Sequence, residues 1–146
     1  MGNTMVRRLI GGLMLVGAVT IVHTLAAREQ GNLGKTFVSP GGAQLKVLVD
    51  AASLGGTEVE VAELTLAPNS DSGEHRHAVT ETFYLLEGDM EQVINGNPVK
   101  LTPGTVASIR STDQVRHKAG PKGAKVLVIW APGGEVGRVT AKWKPQ

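Results

Sequence analysis

Short segments separated by turn signals are the feature that most restricts what this chain can fold into. Several segments alternate apolar and polar residues, as half-buried β-strands do, and Asn95-Gly96 between two of them suits a tight hairpin turn. No long amphipathic helical pattern interrupts this series. The predicted strands are Leu45–Val49, Glu58–Leu66, Thr80–Glu87, Met90–Ile94, Val99–Leu101, Thr105–Arg110, Gln114–Lys118, Lys125–Trp130 and Val139–Trp143.

Length and composition agree with one β-rich domain. The chain has 146 residues, which is the length of a single domain, and its 19 glycines and 3% aromatic residues suit a fold with many turns. We therefore predict an all-β fold, a sandwich or a barrel. The absence of Cys from the sequence excludes disulfides, thiol catalysis and thiolate metal sites.

The charge of the chain argues against nucleic acid as a partner. The formal net charge is +2, but Arg7 and Arg8 precede a long uncharged segment. Without these two residues, 13 Lys and Arg stand against 13 Asp and Glu. A chain so balanced lacks the excess of positive charge with which proteins neutralise phosphates.

The N-terminus has the pattern of an export signal. Arg7 and Arg8 are followed by residues 9–27, which carry no formal charge and end in small residues at Ala26 and Ala27. A basic start, an apolar stretch and a small-residue end are typical of a secretory signal peptide. We therefore expect an exported protein, periplasmic or extracellular. An uncleaved membrane anchor over residues 9–27 is the alternative, because 19 uncharged residues are nearly enough to span a bilayer.

Two histidines in an H-x-H pattern form the centre of the candidate site. Along a strand, residues i and i+2 face the same side, so His75 and His77 would present two imidazoles to one point. Glu81 follows four residues later, on a predicted strand face that it shares with Phe83 and Leu85. A carboxylate buried on such an apolar face needs a compensating charge, and a cation provides it.

A third histidine completes a set of metal ligands. His117 lies on a later predicted strand, on the face opposite to Arg116 and Lys118. Three imidazoles and one carboxylate suit a divalent transition metal, namely Fe, Mn, Ni, Cu or Zn. We therefore predict that His75, His77, Glu81 and His117 bind one such ion, whose identity the ligands alone do not determine.

The spacing of these residues resembles that of the cupin superfamily. The pattern His75-x-His77-x3-Glu81-x6-Gly88 is similar to the first cupin motif, and Gly96-x6-Pro103-Gly104 followed by His117 is similar to the second. The resemblance covers roughly residues 59–131. It implies a small antiparallel jelly-roll β-barrel with the metal inside, near one mouth, and it also implies a homodimer.

These observations divide the chain into three parts and leave two classes of function open. The parts are the signal peptide or anchor (1–27), a linker with the first strand (28–44) and the cupin barrel (45–146). One class is a mononuclear-metal enzyme of dioxygenase, lyase or isomerase type that acts on a small oxygen-containing substrate. In it, Glu81 is the acid–base candidate, because no other titratable group is clearly placed near the metal. The other class is a non-catalytic protein that binds a small molecule or a metal.

Overall fold

The computed structural model describes residues 30–146. The predicted signal peptide or anchor at residues 1–27 lies outside the described residues, so it stays a prediction, as does the division into three parts. Within residues 30–146, no helix combines the length and the apolar character that crossing a membrane requires.

The described chain is built almost entirely of β-strands. In chain order, the elements are β1 (Thr36–Val38), β2 (Gln44–Val49), α1 (Ala51–Leu54), β3 (Glu60–Leu66), β4 (Thr80–Ile94), β5 (Asn97–Leu101), β6 (Val106–Ile109), β7 (Val115–Ala131), α2 (Glu135–Thr140) and β8 (Lys144–Pro145). The sheet order is β5-β4-β7-β3-β2-β1-β8, and β6 also pairs with β4. All these pairs are antiparallel. The predicted all-β jelly-roll barrel is confirmed.

The long strands β4 and β7 join the two halves of the barrel. Their ladder runs from Thr80 opposite Ala131 to Ile94 opposite Val115, with register shifts between Leu85 and Glu87 and between Gly88 and Met90. The sequence analysis divides each of these long strands into two. The structure keeps them continuous, because bulges let a paired strand bend sharply without ending.

The core lies between the inward faces of these strands. Buried and exposed residues alternate along β3 and β7, as expected for strands with one face on the core. The main side chains buried in this way are Leu45, Val47, Ala62, Phe83, Leu85, Val126, Val128 and Trp130.

The predicted strand Val139–Trp143 is wrong. Val139 and Thr140 belong to α2, and residues 141–143 follow it. The buried carboxylate of Glu60 fixes the first turn of this helix. Glu60 Oε2 accepts a hydrogen bond from Val136 N at 2.8 Å, and the Val136 side chain is 1% exposed. Because a carboxylate from β3 satisfies a free amide of the helix start, a tertiary contact decides the local conformation here.

The closing glycine of the first motif is required by a backbone contact. Gly88 has a φ of 80°, and a Cβ atom there would overlap the carbonyl oxygen of Gly123. Gly104 has a similar φ of 88°, but a Cβ there would meet no atom within 4 Å. An alanine at Gly104 would therefore meet only the cost of a positive φ, whereas an alanine at Gly88 would meet that cost and the cost of the overlap.

We predict that Gly88→Ala destabilises the barrel far more than Gly104→Ala does. Gly104→Ala should lower the free energy of unfolding by about 1–2 kcal/mol, the cost of a left-handed Ala. Gly88→Ala should lower it by at least ~2 kcal/mol more, since a core overlap adds to that cost. Denaturant unfolding of both variants measures the difference, and equal losses would contradict the prediction.

Candidate metal centre

Three separate segments bring the candidate ligands into the barrel. His75 lies before β4 and is fixed by two hydrogen bonds to the backbone of Val115, each 2.9 Å long. It therefore lies at an isolated bridge and not within the regular strand that the H-x-H pattern suggested. Glu81 is the second residue of β4, and His117 is the third residue of β7.

Three imidazoles converge on one point, and the Glu81 carboxylate lies against two of them. The Nε2 atoms of His75 and His77 are 3.1 Å apart. Glu81 Oε2 lies 3.0 Å from His77 Nε2 and 3.5 Å from His117 Nε2. One ligand atom from each of the three histidines lies within 4.8 Å of those of the other two. The structure thus brings the three predicted histidines together and places the fourth predicted residue, Glu81, beside His77 and His117.

The Glu81 carboxylate has one satisfied and one unsatisfied oxygen. Oε1 accepts a hydrogen bond from Trp130 Nε1 at 2.9 Å. Within the described chain, Oε2 has no possible donor other than the imidazole nitrogens of His77 and His117, and the residue is only 1% exposed. A buried carboxylate oxygen without a partner is costly. A divalent cation among the imidazole nitrogens would satisfy this oxygen, so the residues present fit a metal ion.

Two of the three imidazoles are held on their far side by acceptors. His75 Nδ1 lies 3.0 Å from the carbonyl oxygen of Gly73. His77 Nδ1 lies 3.5 Å from Glu135 Oε2 and equally far from Arg138 Nη2, which Glu135 also binds. An imidazole that donates Nδ1–H in this way keeps Nε2 free to bind a metal.

Glu135 and Arg138 on α2 are site residues that the sequence analysis missed. Glu135 Oε1 accepts a hydrogen bond from Ala78 N at 2.8 Å, directly after His77. The Arg138 guanidinium donates to both carboxylate oxygens of Glu135. Because Glu135 is 57 residues from its amide partner, no local pattern in the sequence indicates this contact.

The pKa values follow from burial and from the neighbouring carboxylates. Burial, together with the nearby His75 and His77, lowers the pKa of His117 well below its usual value. Burial also acts to lower the pKa of His77, but Glu81 and Glu135 outweigh it, so that pKa is raised. Burial opposes ionisation of Glu135, yet hydrogen bonds from Arg138 and the Ala78 amide outweigh it and lower its pKa. His117 is therefore neutral near pH 7, the form in which imidazole binds metals.

The cluster opens into a cavity of about 380 Å³. His117 stacks on Phe83 with ring centroids 4.7 Å apart. Apolar side chains from both halves of the barrel and from α2 form most of the wall, and they are Leu45, Leu64, Leu66, Phe83, Trp130, Val139 and Trp143. The arrangement can hold a small ligand against a metal in a largely dry space.

Comparison with known proteins defines the class of this domain. Residues 62–131 match the family described as Cupin domain. These matched residues include the three clustered histidines and Glu81. The resemblance to the cupin superfamily that the motifs predicted is confirmed: this domain is a cupin. A search of the curated proteins found no significant match to the chain.

Solved structures share the fold at low sequence identity. KdgF from Halomonas sp. is 16% identical with a TM-score of 0.60, covering 70% of this chain and 88% of its own. A predicted oxalate decarboxylase from Thermotoga maritima is 19% identical with a TM-score of 0.61, covering 73% and 98%. Oxalate decarboxylase from Bacillus subtilis, with Mn(II) centres, is 17% identical with a TM-score of 0.61, covering 68% of this chain but 28% of its own. Likeness at this level shows the fold alone.

We predict that Glu135→Gln lowers the stability of the metal-free protein. The substitution keeps the shape of the side chain but removes the charge that faces Arg138 and His77. Because hydrogen bonds to buried charged groups contribute about 1.5–3 kcal/mol, the free energy of unfolding should fall by about 2 kcal/mol.

The matched control is Glu63→Gln, which is chemically the same change on the surface. Glu63 pairs with Lys125 at 3.0 Å, and both side chains are about a third exposed. Exposed ion pairs contribute little, so this variant should change stability much less. Similar losses in the two variants would show that Glu135 is not a structural support of the site.

Proposed function

We propose that this cupin domain is a mononuclear-metal protein in which His75, His77, Glu81 and His117 hold one divalent transition metal ion. The unpartnered, buried oxygen of Glu81 among the imidazoles is the observation that carries the proposal. The ligands suit Fe, Mn, Ni, Cu or Zn, and metal supply in the cell decides among these.

We further propose that the domain is an enzyme of dioxygenase, lyase or isomerase type for a small oxygen-containing substrate. A bound metal would supply Lewis acidity and, if redox-active, dioxygen chemistry. Glu81 is assigned to proton transfer when it leaves the metal, because it lines the cavity and, among the described residues, no other acid–base candidate is placed there. Phe83 and Trp130 exclude water from the same end of the cavity. Export through residues 1–27, or anchoring by them, and assembly as a homodimer belong to the proposal on sequence grounds.

A non-catalytic protein that binds a small molecule or a metal is the second candidate. It is favoured because Arg138 and Asp71, the charged residues of the described cavity other than Glu81 and the histidines, are each held in an ion pair and are not free for catalysis. Arg138 is held by Glu135, and Asp71 is held by Arg116. Glu81 is therefore left as the single acid–base candidate in this part of the chain. Turnover of a bound ligand supports the enzyme, whereas saturable binding without product supports the second candidate.

We predict that the purified full-length protein contains about one equivalent of a transition metal, and that His77→Ala and His117→Ala each lose it. Each substitution removes one of four ligands, so the affinity should fall far enough for dialysis against a competing chelator to remove the ion. Elemental analysis measures the content, and circular dichroism checks that the barrel remains folded.

Carboxylate variants provide the matched control for the metal analysis. Glu81→Gln should reduce the metal content. Glu74→Gln should leave it unchanged, because Glu74 faces solvent and accepts a hydrogen bond from Gln114. Full metal content in both histidine variants would refute the assigned site. A content of zinc would favour isomerase or binding roles, and iron, manganese, copper or nickel would favour oxidative or decarboxylating ones.

A further inference from the structure

The walls of the cavity restrict which ligand it accepts. Leu45, Leu64, Val139 and Trp143 line the space that leads to the histidines. A ligand with many hydroxyl groups would lose hydrogen bonds to water against such a wall and regain few of them. The cavity volume of about 380 Å³ is near the small end of the range for ligand sites. The wall therefore favours a small ligand with an apolar body.

The charges around the cavity restrict the ligand further. Among the described residues that line it, Arg138 is the one cationic side chain other than histidine, and Glu135 already neutralises it. Asp71 is likewise paired with Arg116. Glu81 leaves a divalent ion with one uncompensated positive charge, and a dry site disfavours any excess.

We propose that the ligand is a monoanionic oxygen donor on an apolar body, such as an enol, a phenol or a monocarboxylic acid with a ring. This inference rests on the proposed function. A dianion such as oxalate has one charge too many and no apolar part. A sugar acid has more hydroxyls than the wall can satisfy, because two of its three serines, Ser39 and Ser72, are already hydrogen-bonded to the backbone. The head binds beside Glu81, and the body lies against Leu64 and Val139.

The test is a calorimetric titration of the zinc-loaded full-length protein with four probes. Benzoate and benzoylacetone have the proposed chemistry, and oxalate and galacturonate do not. We expect the first two to bind at least tenfold more tightly. Val139→Asp should weaken benzoate binding at least tenfold, because it places a negative charge in the wall. Elemental analysis after the titration should show that zinc is retained.

Each outcome of this titration is informative. Equal or tighter binding of oxalate or galacturonate overturns the proposal, as does an unchanged affinity for benzoate in Val139→Asp. Failure of the unmodified protein to bind zinc refutes the proposed function itself. If the protein binds zinc but shows no preference for the apolar probes, the proposed ligand class is refuted and the proposed metal site stands.

A separate observation concerns Gln92, which is buried behind the metal centre. Gln92 is 0% exposed, and neither its amide nitrogen nor its amide oxygen has a hydrogen-bond partner. His117 Nδ1 is also buried without a partner. The two residues are opposite each other in the β4–β7 ladder, and residues paired in this way project to the same side of a sheet.

The third imidazole lacks the support that the other two have. His75 and His77 each have an acceptor at Nδ1, from Gly73 and Glu135 respectively. An imidazole that binds a metal generally donates its other N–H to an acceptor, which fixes the tautomer. Gln92 supplies an amide oxygen beside His117 and has no other partner for it in the described chain.

The geometry points to Gln92 as the positioning residue for His117. In the metal-bound protein, Gln92 Oε1 accepts a hydrogen bond from His117 Nδ1–H after a rotation of the amide. This keeps His117 Nε2 free on the side of Glu81. The inference rests on the proposed metal site but not on the ligand class above.

The substitution Gln92→Leu tests this role with three readouts: zinc affinity, the stability of the metal-free protein and the cobalt spectrum. Zinc affinity, measured by competition with a chelator, should fall about 10–100-fold. The stability of the metal-free protein should not fall, because Leu replaces an amide whose hydrogen bonds are unmade. The visible spectrum of the cobalt-loaded variant should also change. Met90→Leu, on the same buried face of β4, should leave both affinity and spectrum unchanged.

The His117→Ala background separates positioning from a general effect on the core. There, Gln92→Leu should not weaken the residual zinc affinity further, because the supported imidazole is gone. An equal further loss in that background, or an unchanged affinity of the single variant, overturns the role of Gln92. Absence of zinc binding in the unmodified protein would instead refute the metal site.

Discussion

The antiparallel ladder between β4 and β7 is the constraint on which the rest of the molecule depends. It joins the two halves of the barrel, and it fixes the relative positions of Glu81 near one end and His117 near the other. The bulges next to Gly88 bend both strands, so that residues far apart along the ladder approach each other. In a straight ladder Glu81 and His117 would be far apart in space, since each residue of a strand advances about 3.3 Å and His117 pairs with Gln92, well along β4 from Glu81.

A buried carboxylate gives this centre its chemical character. Glu81 is buried, and one of its oxygens accepts a hydrogen bond from Trp130. Its other oxygen has no hydrogen bond in the barrel itself, and such a group raises the free energy of the folded state. The fold keeps it beside imidazoles whose nitrogen lone pairs can bind a metal. A bound cation would remove this cost, which is the physical basis of the proposed metal site.

The short helix α2 connects the far end of the chain to this centre. Glu60 on β3 holds the start of the helix, and Glu135 in its first turn holds the backbone after His77. Val139 and Trp143 then cover part of the cavity. One segment thus supports a candidate ligand and shapes the space for a small molecule. Through these contacts, the short helix α2 contributes to a site that is formed mainly by strands.

The all-β fold and the cluster of three histidines with Glu81 beside it could be predicted from the sequence, because strand alternation and motif spacing are properties of the chain itself. The sequence did not reveal α2, the support from Glu135 or the unsatisfied amide of Gln92. The predicted strand Val139–Trp143 was wrong because Glu60, which lies 76 residues away from its partner, fixes the helix start. Contacts of this kind depend on the register of β4 with β7 and on the docking of α2, and only the tertiary structure decided them.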